Sequence, residues 1–317
     1  MKRNLLLSLL SLLCFGGAFA QEENNPYERH VLVEEFTTEN CPNCPRGATI
    51  MAEIMADNEI NDRVIPVTHH SGYYEDWLTT DADRQYLWFF NENYTYAPAI
   101  MYDRYPFFNT DSGYETPVSS IHTTSDVKKY IKKRLKAKSH LRLDISGEFD
   151  NQTTATIRVN GERSKVFTEL EPRITVYVLE NRVKAKSQAG AGSGYKHSHV
   201  MRTYNQIWGD LINWNGDTFE YECKIEINPE WNKDNLEIVA FVSTLDPEDQ
   251  AACIVENARA VSFNDFTGIE DIQADSSVVA TEYFTIGGVK TDALCHGMYI
   301  EKKTFADGGC EIRKITR

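Results

Sequence analysis

The chain of 317 residues predicts an α/β region, then an all-β region, then a small C-terminal β module. Three observations carry this expectation. Residues 29–139 alternate short apolar runs with amphipathic helical stretches. At His140 the helical period gives way to strand-like alternation broken by Gly, Asn and Pro. After Phe263 an acidic, polar connector separates a last short segment from the rest.

In the first region, Val31–Phe36 is expected as a buried strand, and Pro42–Asp57 as a helix with Ala48, Met51, Ile54 and Met55 on one face. Val64–His69 is the next strand, Asp81–Asn91 a helix, and Ala99–Tyr102 a short strand. Ser125 is expected to cap a helix reaching Lys138, with Val127, Tyr130, Ile131 and Leu135 at helical spacing. Its opposite face carries Lys128, Lys129, Lys132, Lys133, Lys136 and Lys138, which is read as a solvated face. The second region offers strands at Leu141–Ile145, Thr154–Val159, Ile174–Leu179, Phe219–Ile227 and Leu236–Val242, a β-sandwich-like pattern. Gly190-Ala191-Gly192-Ser193-Gly194 lacks the strand-then-helix context of a phosphate loop and reads as a flexible insertion. In the tail, Tyr283–Ile286, Gly297–Lys302 and Glu311–Ile315 are candidate strands, the last two joined by Asp307-Gly308-Gly309.

Residues 1–20 read as a secretory signal peptide: Lys2 and Arg3, an apolar run, then Ala18-Phe19-Ala20. Lipid attachment at Cys14 would want a small residue before it, and Leu13 is not one. The expected division is signal 1–20, first domain 21–139, second domain 140–265, linker 266–277 and C-terminal module 278–317. Losing Lys2 and Arg3 takes the formal net charge from −14 to −16. Such acidity argues against a general nucleic-acid role, and no later apolar run is long enough to span a bilayer as a helix. Export permits disulfides. Cys41–Cys44 is the expected bond, with Cys223–Cys253 and Cys295–Cys310 as further pairings.

Cys41-Pro42-Asn43-Cys44 is the motif with chemistry in it. It follows a strand and opens a helix, where N–H groups and the macrodipole favour a thiolate. A Cys-x-x-Cys in this βαβ context reads as a thioredoxin-like redox site. Cys41 is expected as the exposed attacking thiol and Cys44, a turn inside the helix, as the resolving thiol. Glu35, in the preceding strand, is a candidate proton partner for Cys44 if burial raises its pKa, or else a solvated residue at the strand end. Pro98, just before a strand, is a candidate cis-proline whose preceding backbone pairs with a substrate chain.

Val31-Leu32-Val33-Glu34-Glu35-Phe36-Thr37-Thr38-Glu39-Asn40-Cys41-Pro42-Asn43-Cys44-Pro45-Arg46 resembles the N-terminal block of the thioredoxin-like 28-kilodalton outer-membrane protein family of Bacteroides-type bacteria. Tyr195-Lys196-His197-Ser198-His199-Val200-Met201-Arg202 is similar to that family's His-x-His segment. The resemblance implies a thioredoxin-like first domain in an exported, envelope-associated protein, with Cys41, Cys44, Pro98 and Glu35 at the thioredoxin positions. Asn40 departs from the usual tryptophan and Ala97 from the usual β-branched residue. Gly268–Ile272, Tyr283–Gly288 and Gly297–Ile300 together resemble the C-terminal sorting modules of Bacteroidetes secreted proteins, with Cys295 and Cys310 as departures.

A metal at Cys41 and Cys44 needs two more ligands. His69 and His70 are the nearest histidines, but neighbours on a strand point to opposite faces. No cofactor or metal is therefore expected, and His197 and His199, which share a face if extended, read as packing or loop hydrogen bonds. Tyr73 and Tyr74, after Gly72, suit a binding surface near the cysteines. Two functions remain: an oxidoreductase acting on protein thiols or disulfides, and a non-catalytic scaffold that holds another envelope protein or a glycan.

Overall fold

The computed structural model describes residues 27–316 apart from 92–93, 110–112, 151–152, 170, 267–277, 286–289, 292–297 and 306–309. The proposed signal peptide, the linker, Cys295 and the Asp307–Gly309 turn lie outside the described residues. One compact unit ends at Thr267 and a second begins at Gly268.

The first unit opens with β1 (Val31–Thr37), α1 (Cys44–Met55), β2 (Val64–His70), α2 (Asp81–Phe90) and β3 (Ala99–Tyr102). A short hairpin, β4 (Phe107–Asn109) and β5 (Tyr114–Thr116), leads to β6 (Ser119–Ser120) and α3 (Thr124–Lys136). Then come β7 (Leu141–Phe149), β8 (Thr154–Arg163), β9 (Arg173–Glu180), β10 (Val183–Lys184), β11 (Lys196–His197) and β12 (Val200–Tyr204). The unit closes with β13 (Asp210–Leu211), β14 (Thr218–Glu226), β15 (Leu236–Ser243), β16 (Val255–Ser262) and α4 (Phe263–Phe266). The N-cap of α3 is Thr123, not Ser125: the Thr123 hydroxyl accepts from the Asp126 amide, while Ser125 already sits in the first turn. The chain is mostly β.

The main sheet runs β16-β15-β9-β12-β2-β1-β3-β6, with β13 on β9. β1 and β2 are parallel, and β3 pairs antiparallel to β1. The two halves of the sequence thus share a sheet, because β12 inserts between β2 and β9. The joint is narrow: one parallel pair, Val200 opposite Thr68, and the Thr68 amide donating to the His199 carbonyl at 2.7 Å.

Strand alternation distributes side chains among three cores. From β1, Leu32 and Phe36 face α2 residues Tyr86, Leu87 and Phe90. Val31 and Val33 face α1 and α3 through Ile50, Ile54 and Ile131. From β9, Tyr177 and Leu179 join the α2 core, whereas Ile174, Val176 and Val178 meet β7, β8 and β14. Those three strands form a second layer, ordered β14-β8-β7. Burial on both faces is why β1 and β9 read as continuous apolar runs. Gly161 on β8 makes room for Phe219, since a Cβ there would lie 2.0 Å from its ring.

Cys223 and Cys253 are both free thiols, so the expected bond between them is absent. The strands carry them into different cores: Cys223 packs against the β7–β8–β14 layer and Cys253 into the α2 core. The second unit is the antiparallel set β17 (Val278–Thr285), β18 (Met298–Phe305) and β19 (Cys310–Thr316).

Fully buried Asp103 joins three segments. Its carboxylate takes the Arg29 guanidinium at 3.3 Å, Arg134 Nε at 2.9 Å and the Leu32 amide at 2.8 Å. Asp103→Ala leaves two buried guanidiniums without their partner and should cost about 3–5 kcal/mol, read as a lowered urea midpoint at unchanged slope.

Candidate redox site

At the C-terminal edge of β1 the chain turns through Thr38–Asn43 into α1, and Cys41 and Cys44 are joined as a disulfide with a Cα–Cα distance of 5.4 Å. Cys44 is the first residue of α1 rather than a turn inside it, with Asn43 as N-cap and Pro45 following. Proline is accommodated there because first-turn N–H groups have no helical partner. The Ala97–Pro98 peptide is cis.

Glu35 lies directly beneath this helix. It is buried, and its Oε1 has no hydrogen-bond partner. Gly47, three residues after Cys44, keeps the space open: a Cβ there would lie 2.6 Å from Glu35 Oε1 and 3.3 Å from Pro98 Cβ. Glu35 and Pro98 therefore converge under the first turn of α1. Burial pushes the Glu35 carboxyl up to about 8. Glu35 and Tyr195 also line a groove of about 540 Å³ between α1, the β1–β2 face and residues 195–199. The Tyr195 phenol is pushed up to about 12 by burial and by that carboxylate.

Cys41 is not the exposed thiol expected from sequence: the residue is only 7% exposed. Residues 188–190, at the start of the glycine-rich segment, cover it, while Gly192 and Gly194 have nothing within 4 Å of a would-be Cβ. Gln188 Nε2 donates to the Cys41 carbonyl at 3.0 Å, and the Ala189 amide donates to the Glu39 carbonyl at 2.7 Å. Gly190, at φ +75°, lies so close to Pro42 that a Cβ would meet its carbonyl oxygen at 2.2 Å. Glu39 anchors the other end, accepting from the Lys186 and Ser187 amides and from Trp77 Nε1. Sequence held a signal for this strap in Gly190, since a left-handed turn against another backbone demands glycine. The partner backbone was not legible.

Histidines flank the turn without forming a ligand set. His69 faces away from the disulfide helix, between Asp83 at 2.8 Å and Glu34 at 3.2 Å. His70 Nδ1 bonds Asp76 at 2.8 Å, and its ring packs edge-on against His197 with centroids 4.6 Å apart. Against its own burial, Asp76 is held near 2 by His70. Burial and the neighbouring His70 push His197 down to about 4. His199 does not share its face: its φ of +54° breaks the extended run, and its Nδ1 bonds Glu237. Among the described residues no group of three or more His, Cys, Asp or Glu is arranged to hold a metal ion. No helix among them is long and apolar enough to cross a membrane.

A mostly β protein with a Cys-x-x-Cys disulfide at a strand–helix junction is the class defined by this geometry. The family model for outer membrane protein Omp28 matches residues 115–264. HBP35 of Porphyromonas gingivalis shares the fold, with a TM-score of 0.65 at 20% identity, over 92% of this chain and 99% of that one. A domain of the outer membrane lipoprotein Omp28 from Porphyromonas gingivalis is 19% identical over 39% of this chain and 88% of its own, with a TM-score of 0.27. No curated protein matches the sequence. With the Omp28 match, the chain is an exported protein associated with the outer membrane or cell surface.

Glu35 makes stability pH-dependent with a definite sign. Its folded pKa of about 8 exceeds its ordinary 4.5. The stability from burying the neutral acid is full below pH 4.5 and is lost as pH rises to about 8, on the order of 4 kcal/mol. Urea midpoints of the wild type should fall over that window, while Glu35→Gln should remove that component and be the more stable protein at pH 8.

Proposed function

We propose that this protein is an envelope thiol–disulfide oxidoreductase whose first domain, residues 21–139, is thioredoxin-like, with protein thiols or disulfides as substrates. The observation that carries this is Glu35, a buried carboxyl without a partner under the helix that bears the disulfide. A bond kept only for stability gains nothing from an orphan acid beneath it, whereas dithiol exchange needs a proton acceptor there.

The steps balance as follows. In the reduced protein the Cys41 thiolate attacks a substrate disulfide, breaking its S–S bond and releasing one thiolate, which takes a proton from solvent. Glu35 accepts the Cys44 proton, Cys44 sulfur attacks Cys41, and the second substrate thiolate leaves as the Cys41–Cys44 bond re-forms. The reverse sequence oxidises a substrate dithiol. Pro98 holds the backbone edge beside Cys41 against the substrate chain. Access requires the 186–190 strap to lift, breaking the Gln188 and Ala189 bonds.

Insulin reduction by the dithiol protein should vanish in Cys41→Ser and in Cys44→Ser. The rate of Glu35→Gln should lose the limb that rises toward pH 8. An equally active Cys41→Ser protein would reject the assignment. Gln188→Ala, which deletes the bonds to Cys41 and Thr38, should speed reduction of the native disulfide by a phosphine several-fold, measured by thiol release.

The burial of Cys41 favours a second reading, in which the strap seals a structural bond and the protein serves as an envelope scaffold. A reduction potential below about −300 mV, with exchange unmoved by Gln188→Ala, would select it.

A further inference from the structure

On the first unit, Tyr73 after β2, Trp88 on α2, Tyr94 and Tyr96 before β3, and Tyr114 on β5 surround a groove of about 510 Å³. That volume falls within the ~300–1,000 Å³ typical of small-ligand sites. Tyr73, Tyr94, Trp88 and Tyr114 are 74%, 71%, 53% and 44% exposed. So much ring surface converging on one concavity is unusual for a side chain class that folding normally buries.

The remaining lining is uncharged: Asn91, Thr95, Asn109, Thr116 and Ser120. Asn91 Nδ2 donates to the Tyr94 carbonyl at 3.0 Å and Asn109 Nδ2 to the Val118 carbonyl at 3.3 Å. These bonds fix the rims before anything binds. No Lys, Arg, Asp or Glu is among the described residues that line the groove, although charged residues make up 25% of the chain. Among the described lining residues a phosphate, carboxylate or polyamine finds no counter-charge. We propose that this groove binds a neutral glycan, whose apolar C–H faces lie on the tyrosine and tryptophan rings while its hydroxyls meet the Asn, Thr and Ser side chains. Tyr and Trp suit the task because they offer wide contact area at small entropic cost. An extended, proline-rich polypeptide also docks on aromatic-lined grooves, so competition by peptide is an outcome of the test. The proposal stands whether or not the disulfide turns over.

Affinity electrophoresis of the full chain in native gels containing a β-glucan, an α-mannan or a galactomannan tests it. At least one should retard the wild type, and the retardation should be insensitive to salt because no charge pairing contributes. Trp88→Ala and Tyr94→Ala, both at exposed positions, should each weaken it at least ~10-fold. Phe108→Ala, exposed but outside the groove, should leave it unchanged. Unretarded migration in all three gels overturns the proposal. So does equal retardation of the Trp88 and Tyr94 variants, loss of retardation in salt, or displacement by a proline-rich peptide and not by the free oligosaccharide.

Discussion

Two consecutive residues in the left-handed region, Asp103 and Arg104, both at φ +53°, organise the first unit. The conformation is unfavourable for a residue with a long side chain, and it persists because the surroundings hold it. The turn sends the two charges into different clusters. Asp103 gathers Arg29, Arg134 and the β1 backbone. Arg104 places Nε and Nη2 on the Glu34 carboxylate at 2.9 and 2.8 Å and also reaches the Tyr177 hydroxyl at 3.1 Å. Its guanidinium lies 4.7 to 5.0 Å from the ring centroids of Tyr86, Phe90 and Phe241. Buried ion pairs of this kind contribute little net stability over an apolar core, but breaking one is expensive. Their effect here is to specify which strands and helices meet.

The Tyr177 contact carries that specification to β9. Glu34 is bonded to His69, and His69 to Asp83 on α2, so one chain of contacts ties β1, β2, α2 and β9. Beside it, segment 197–202 closes the seam. His197 packs on His70, Val200 pairs with Thr68, Met201 enters the α2 core, and Arg202 bonds Glu180 at 3.1 Å. The residues that carried the family resemblance in the second half are thus those that fasten it to the first. The strap over Cys41 hangs from this seam between β10 and β11. Accessibility of the sulfur is therefore set by the second half of the sequence, not by the motif that holds it.

Local signals were sufficient for β1, β2, α2 and β3, since each stands out as a short apolar run or a helical stretch of the right length. The strand–Cys-x-x-Cys–helix order also indicated where Cys41 and Cys44 would fall, whereas Glu35 stayed open between a buried and a solvated position and Pro98 rested on its order after the motif. Three features were not legible. β16 (Val255–Ser262) alternates too weakly, its Glu256 and Arg259 interrupting the apolar positions. The insertion of β12 beside β2 rests on a single long-range pair, which has no sequence signature. Burial of Cys41 comes from Gln188 and Gly190, nearly 150 residues away, and glycine-rich composition alone reads as freedom rather than as close approach.

Glu34 and Glu35 are neighbours on one strand, and pleating gives them opposite environments. Glu34 faces Arg104 and His69, which overcome burial and hold its carboxyl near 2. Glu35 faces α1 with no counter-charge, and burial alone drives it to about 8. Both are fully enclosed, so desolvation cannot explain the difference; the partners do. Adjacent carboxyls driven apart in this way have separate tasks. One is a permanent anion that locks the sheet to α2 and β9. The other retains a proton at neutral pH and can release it within the range where thiols exchange. A one-residue slip of β1 would put Glu35 against Arg104 with Phe36 under the disulfide helix, or Glu34 under that helix with Val33 against Arg104. The register of β1 against β2, Glu35 opposite Thr68, is accordingly the geometric condition under which both places receive a carboxyl at once.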